Sequence, residues 1–413
     1  MRRAALASVL AGALVLAACG RGNDQGGGSG RTAVVVVNAP FSKVPSVAKP
    51  IEQGARLAAE ELNKAGGVDV AGVKVRLDVR LADDQGSPTI SAANIRKAAS
   101  DGAVAVVAEG TGVDVAWEDA GRAGLPIGIV YQGGEDLIDV AGRRNVFRIA
   151  PTNRGVAFRL AEYVIPKGGR IALLHDDSPY GAGGKAALDK AFARNRSAVA
   201  ADLQLSSAPG ADPGPQVVQA RSAGATAVVV WAGPQVLASV VRAARSTGWP
   251  VPFFAATSGE DALVRQQLSA HPEWLDGLTF VSSRLTSEKG PAPFEKYRSA
   301  FEKRFGPQRV GVKSGGKDVV SPPDWAMYAY DFVKVVADAM HRSQADRAAP
   351  GLVRAMEETE VQGANGDERG FNKKNHEGVV DDDVFFAVFK DMVWTPVRDD
   401  PLSASLPPIP QTL

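Results

Sequence analysis

Cysteine occurs once in the 413 residues, at Cys19, so an intrachain disulfide is impossible and the fold has to rest on its apolar core. Histidine is scarce too. His175, His271, His341 and His376 are widely scattered and show no paired metal-ligand spacing, so neither a metal centre nor a cofactor is implied. No charge sign dominates: Lys plus Arg (47) nearly balance Asp plus Glu (46), and the basic footprint expected of nucleic-acid binding is missing. The acidic run Asp381-Asp382-Asp383 lacks the ligand spacing of an EF-hand loop and reads as a solvated turn. Beyond the N-terminal segment there is no apolar stretch long enough to span a bilayer, so a soluble body is expected.

What is present begins with an address. Arg2 and Arg3 supply a positive n-region, and Ala4 to Leu16 form an apolar h-region too short for a stable membrane span. Leu16-Ala17-Ala18-Cys19 resembles the bacterial lipobox, which implies cleavage after residue 18 and a diacylglyceryl group on the Cys19 thiol. Gly20 to Gly30 is rich in Gly, Asn, Asp, Gln and Ser and reads as a flexible tether. The expected location is the outer face of the bacterial cytoplasmic membrane, with the chain held there by its lipid.

From Arg31 onward short β-branched runs alternate with segments of helical period, the pattern of parallel sheets covered on both faces. The class is α/β, and the length beyond the leader exceeds one typical core, which favours two domains. Strands are expected at Thr32 to Val37, Val73 to Leu81, Val104 to Ala108 and Pro126 to Val130, with helices at Ile51 to Ala65, Thr89 to Ser100 and Val113 to Arg122. A second cycle runs through strands Ile171 to Leu174, Val199 to Leu205, Ala227 to Trp231, Phe253 to Ala256 and Leu278 to Val281. Its helices are Arg154 to Val164, Gly184 to Ala193, Val217 to Ser222 and Pro234 to Thr247. Three helices follow, Phe294 to Phe305, Trp325 to Met340 and Gly351 to Glu358, and a final strand pair near Val384 to Phe389 and Met392 to Val397.

In open α/β sheets ligands sit at the carboxyl ends of the strands, so the loops that enter helices are the site candidates. Glu109-Gly110-Thr111-Gly112 is the foremost. Its glycines allow close backbone approach, Thr111 offers a hydroxyl, and the next helix presents its positive end, an arrangement suited to a carboxylate. Enzyme motifs are thin by comparison. Ser46-Val47-Ala48-Lys49 with Lys313-Ser314-Gly315 is similar to elements of penicillin-recognising enzymes, but Pro50 disfavours αR at Lys49 and no Ser-x-Asn element intervenes. Gly181-Ala182-Gly183-Gly184-Lys185-Ala186 fits a dinucleotide pattern, yet five residues, including Asp176 and Asp177, separate it from the preceding strand and would repel a pyrophosphate. No enzyme activity is expected.

Longer segments resemble one family. Glu52 to Val68, with its Gly66-Gly67 stop, is similar to the first helix of type I periplasmic binding proteins of the branched-chain amino-acid and amide receptor group. Leu81 to Pro88, Phe147-Arg148-Ile149-Ala150-Pro151-Thr152, Ser178-Pro179-Tyr180-Gly181, Ala243 to Trp249 and Tyr328-Ala329-Tyr330-Asp331 follow in the family's order. The resemblance implies two discontinuous Rossmann-like lobes with parallel-rich sheets, three crossovers and a ligand cleft between them. Residues 31–152 and 285–379 would form the N-terminal lobe, 153–284 and 380–399 the C-terminal lobe, and 400–413 a tail. Crossovers are expected near Thr152, Arg284 and Val380.

The same resemblance implies that Gly110 and Thr111 hold a ligand's carboxylate, with Tyr131, Gln132, Tyr180, Trp231, Thr257 and Ser258 around it. Two departures stand out. Thr257 occupies the place of the glutamate expected for an ammonium, with Glu260 and Asp261 at least three residues on, and Val47 replaces a tryptophan, leaving Phe41 as the aromatic wall. The implied function is capture of a small polar solute, amino-acid-like or amide-like, and its delivery to an ABC transporter permease; the alternative is a ligand-sensing surface receptor on the same fold.

Overall fold

The computed structural model describes residues 31–282, 291–306, 313–314, 317–318, 322–379, 384–397 and 407–410. The leader, Cys19, the tether, Arg284, Gly315, Val380 and the Asp381 to Asp383 run lie outside the described residues.

The first lobe opens with β1 (Thr32–Ala39), α1 (Pro45–Lys64), β2 (Val68–Val70), β3 (Val73–Asp83), α2 (Pro88–Ser100), β4 (Ala105–Ala108), α3 (Val113–Ala123), β5 (Ile127–Ile129) and β6 (Val146–Arg148). These strands form a six-stranded sheet in the order β2-β3-β1-β4-β5-β6, parallel except for the β2–β3 hairpin. Its central strands are valine-rich because both faces are covered.

The second lobe carries α4 (Asn153–Val164), β7 (Ile171–Asp176), α5 (Pro179–Arg194), β8 (Ala201–Leu205), α6 (Gly214–Ser222), β9 (Ala227–Trp231), α7 (Pro234–Ser246), β10 (Phe253–Ala255), α8 (Ala262–Leu268) and β11 (Thr279–Ser282). The chain then forms α9 (Ala292–Phe305), the short pair β12 (Lys313–Ser314) and β13 (Lys317–Asp318), α10 (Asp324–Ser343), α11 (Pro350–Met356), and the pair β14 (Glu360–Gln362) and β15 (Glu368–Gly370). Helices α9 to α11 pack into the core of the first sheet. A closing hairpin, β16 (Phe385–Lys390) and β17 (Val393–Pro396), joins the second sheet, whose order is β17-β16-β11-β10-β9-β7-β8. Arg159 in α4 donates to the Pro407 carbonyl at 2.8 Å, so 407–410 lies against the second lobe.

Two helices start at least five residues earlier than sequence signals indicate. α1 begins at Pro45 and continues through Lys49 and Pro50, against the expectation that Pro50 disfavours αR at Lys49. Burial overrides the local preference. Pro50 and Ile51 are buried, and Gly54 sits so close to α10 that a Cβ there would lie 1.8 Å from the Ala326 carbonyl oxygen. Lys49 pairs with Glu52 at 2.8 Å. Likewise α5 starts at Pro179, five residues before the expected Gly184, which places the whole glycine-rich segment inside a helix. A Cβ on Gly184 would lie 2.1 Å from the Trp231 ring, so that glycine serves helix-on-sheet packing.

The crossover out of the first lobe is stiffened at Arg148. Its buried guanidinium grips Glu377 with Nε and Nη2, at 2.7 and 2.5 Å, and donates from Nη1 to the Gly134 carbonyl at 2.7 Å. The backbone of Arg148 exchanges hydrogen bonds with His376 and Gly378, so two chain segments meet beside the lobe boundary.

Candidate functional site

On the first-lobe side, β4 runs into Glu109-Gly110-Thr111-Gly112, and Gly112 caps α3 with φ of 72°. Gly110 has φ of 138° and lies so close to Gln132 that a Cβ would come within 2.5 Å of its side chain. The loop is not empty. Glu109 turns its own carboxylate inward, where Oε1 accepts the Thr111 N–H at 3.3 Å and the Thr111 hydroxyl, and Oε2 accepts from Gln132 Nε2 at 3.1 Å. Gln132 also donates to the Thr111 hydroxyl oxygen at 2.9 Å. Burial, reinforced by nearby Asp84, pushes the Glu109 carboxyl up to about 7.

On the second-lobe side, β7 ends in the buried Asp176, whose carboxylate accepts the Gly233 N–H at 2.6 Å, the Ser178 N–H at 3.2 Å and the Ser178 hydroxyl. Those bonds fix the turns that carry Tyr180 and Trp231. Ser178 in turn caps α5 by accepting the Gly181 N–H. Tyr180 faces Tyr131 of the first lobe with centroids 6.2 Å apart and planes at 29°, and leans on Trp231 at 5.9 Å. Its hydroxyl lies 3.2 Å from the Thr257 hydroxyl, and burial pushes its phenol up to about 12.

After β10 the chain makes a 3-10 turn, Thr257–Glu260, that folds Glu260 back into the cleft. This corrects the expectation of a cleft without a usable carboxylate near Thr257. Glu260 Oε1 accepts the Asp324 N–H at 2.7 Å, and Oε2 accepts from the Ser282 hydroxyl at 3.1 Å. Burial and the neighbouring Asp324 carboxylate hold Glu260 well above the usual range. Because Asp324 begins α10, the second lobe supplies an acid to the N-terminus of a first-lobe helix.

These elements enclose a cavity of about 20 Å³, room for about one water molecule. Tyr131, Tyr180, Trp231, Trp325 and Tyr328 give it aromatic sides, and Thr257, Glu260 and Asp324 add polar groups. Four residues singled out from the sequence, Tyr131, Tyr180, Trp231 and Thr257, therefore come together. Ser258 is buried in the same 3-10 turn. Gly110, Thr111 and Gln132 gather around Glu109 rather than on the cavity lining, and Phe41 packs against the first-lobe core. Trp325, set edge-on to Tyr131 at 5.3 Å, joins Tyr131 and Tyr328 as a first-lobe aromatic side in place of Phe41.

Sequence reasoning set Glu260 aside as at least three residues beyond Thr257 and did not single out Asp324 or Trp325 as site residues. Pro322-Pro323-Asp324 does read as a helix start, but nothing local says that this start points across the cleft.

Comparison with known proteins accords with this architecture. The family model of periplasmic binding proteins matches residues 33–391. The Leu/Ile/Val-binding protein homolog 3 of Brucella melitensis biotype 1 is 37% identical over 139 residues, 32% of this chain and 36% of that relative's length. Among solved structures, a type 1 periplasmic binding protein from Bordetella pertussis superposes with a TM-score of 0.74 at 21% identity, covering 89% of this chain and 98% of the other. The branched-chain amino acid transporter substrate-binding protein LivJ from Streptococcus pneumoniae, in complex with isoleucine, gives 0.72 at 19% identity, covering 89% and 99%. The leucine-binding protein LivK from Thermotoga maritima gives 0.68 at 17% identity, covering 89% and 98%. The chain belongs to the type I periplasmic binding protein family.

Proposed function

We propose that this chain is an extracytoplasmic receptor that captures a small polar solute between its lobes and presents it to an ABC transporter permease, tethered to the membrane through a lipid on Cys19. The observation that carries the reading is the meeting of Tyr131 with Tyr180 across a cleft whose polar groups, Thr257, Glu260 and Asp324, come from both lobes. A solute that touches both lobes favours the closed arrangement, and that closed shape is what a permease reads. Ligand contacts are assigned to Tyr131, Tyr180, Trp231 and Thr257, with Ser258 behind them and Gly110, Thr111 and Gln132 setting the edge.

A thermal-shift screen of the body from Arg31 onward, across amino acids, amides, amines and small organic acids, tests the reading. A true ligand at about a hundred times its Kd stabilises by about 2.7 kcal/mol, and Tyr180→Ala abolishes the shift. A body that retains no solute from this panel or from a bacterial extract by native mass spectrometry contradicts it. For the anchor, Cys19→Ser is expected to move the protein from the membrane to the aqueous fraction; continued membrane association would count against lipidation.

A further inference from the structure

Off the cavity lining, α8 carries Arg265, a side chain that is 0% exposed and has none of its Nε, Nη1 and Nη2 atoms in a hydrogen bond. Its guanidinium lies 4.0 Å over the Trp394 ring, and the Glu260 and Asp261 carboxyls act on it through space. Burial lowers it to about 9, so it remains a cation at neutral pH. A guanidinium offers five N–H donors, and a charged donor kept dry without acceptors is among the most unfavourable groups a fold can bury.

The acids that would satisfy it are turned toward the first lobe. Glu260 accepts the Asp324 N–H at the head of α10 and the Ser282 hydroxyl. Asp261 caps α8 by accepting the Leu263 N–H at 2.8 Å, and it is hydrogen-bonded to Ser46 in α1 of the first lobe. Its Oδ2 is buried with no hydrogen bond. The closed arrangement therefore holds, at one short helix, an unmatched guanidinium and an unmatched carboxyl oxygen. Asp261 and Arg265 are four residues apart, the spacing at which an acid and a base on one helix meet. Loss of the Ser46 contact leaves Asp261 free to rotate onto Arg265.

We infer that Arg265 is an opening device: when the lobes part and Ser46 withdraws, Asp261 turns onto Arg265, and the pair so formed favours the open form against the contacts that close it. A receptor needs such a counterweight. A protein locked shut admits no solute, whereas one whose two forms are nearly balanced is closed by a modest difference in affinity. The inference rests on the receptor reading for its purpose, and its test uses no solute.

The only cysteine of the chain is Cys19, so the body from Arg31 onward accepts spin labels at introduced cysteines alone. Lys43→Cys in the first lobe and Ser207→Cys in the second replace exposed residues, and dipolar spectroscopy of the ligand-free protein reads the open and closed populations from the distance between the labels. Arg265→Met, which keeps an unbranched chain against Trp394 and removes the charge, should raise the closed-to-open ratio about tenfold. Asp261→Asn, which keeps an oxygen for the helix cap, should shift it in the same direction. In the Asp261→Asn background, Arg265→Met should add little, because both changes remove the same pair. Asp261→Asn carries the test alone if Arg265→Met does not fold.

An unchanged ratio in either folded variant would overturn the inference, as expected where water joins Asp261 to Arg265 in the closed form. A lower ratio in Arg265→Met would also overturn it, by showing that the guanidinium supports closure through its field on Glu260. Each of these results leaves the receptor reading intact; that reading fails instead if the body retains no solute.

Discussion

Glu109 is the residue whose ionisation has the clearest consequence. Burial raises its carboxyl from 4.5 in an unstructured chain to about 7 in the fold, so between those values the folded protein holds a proton that the unfolded chain has released. Its contribution to stability is therefore present below about pH 4.5 and is lost as pH rises through 7. Asp84, raised to about 6 by burial, acts with the same sign. Glu109→Gln removes one part of this dependence. In urea melts of the ligand-free protein the variant should gain on the parent between pH 5 and 7, with the difference levelling off above that at no more than about 3 kcal/mol. A difference independent of pH would show that Glu109 does not titrate in this range. The residue was in view in the sequence as part of Glu109-Gly110-Thr111-Gly112, but the pattern suggested an open carboxylate cradle. Whether a loop's acid faces solvent or turns back onto its own hydroxyl depends on the opposing side chain, here Gln132, which arrives from the next strand.

Among the elements, the central buried strands match their expected positions more closely than the starts of α1 and α5 do. The valine runs of β1 and β4 and the Ala227–Trp231 segment are dense enough in β-branched residues to declare buried parallel strands by themselves. The expected α5 is shorter than the observed helix because Pro179 and three glycines, Gly181, Gly183 and Gly184, weaken the helical signal there. They are helical because small residues let α5 settle onto Trp231 and Asp176, and that burial exceeds the propensity deficit. Gly184→Ala ought to improve an isolated helix by about 1 kcal/mol. In the protein the added methyl would meet the indole ring at 2.1 Å, so the expected net effect is destabilisation by about 1–3 kcal/mol with displacement of Trp231. Loss of midpoint in denaturant melts with an unchanged m-value would check it, and a stabilised variant would refute the packing argument. The site follows the same division. Tyr131, Tyr180, Trp231 and Thr257 lie at or just beyond strand ends or at a helix start, where sequence position alone suggests a cleft. Glu260 arrives through a 3-10 turn and Asp324 and Trp325 through a later helix, and those placements are tertiary.

For the whole molecule the question is what keeps the lobes together when nothing is bound. The cavity has room for about one water, so this is a closed arrangement without space for a solute. Among the described residues, contacts between the lobes include the Tyr131–Tyr180 pair, Arg154 with Glu135, Ser46 with Asp261, and the Glu260 carboxyl on the N–H of Asp324 at the head of α10. The Glu260 contact is the latch to test, since it is a buried hydrogen bond to an N–H that has no intrahelical partner, at the head of a 20-residue helix. Removing it should shift the empty protein toward open forms. A ligand that requires the closed form then binds more weakly, in proportion to the lost closed fraction. Glu260→Ala should therefore raise the radius of gyration measured by X-ray scattering of the ligand-free body, while Tyr180→Phe, which keeps the ring pair, should leave it near the parent value. On this account, opening the cleft breaks the hydrogen bond between Glu260 and the head of α10. An unchanged radius for Glu260→Ala would remove Glu260 from the closing motion and leave the hold on the empty lobes to the aromatic pair and the other contacts between them.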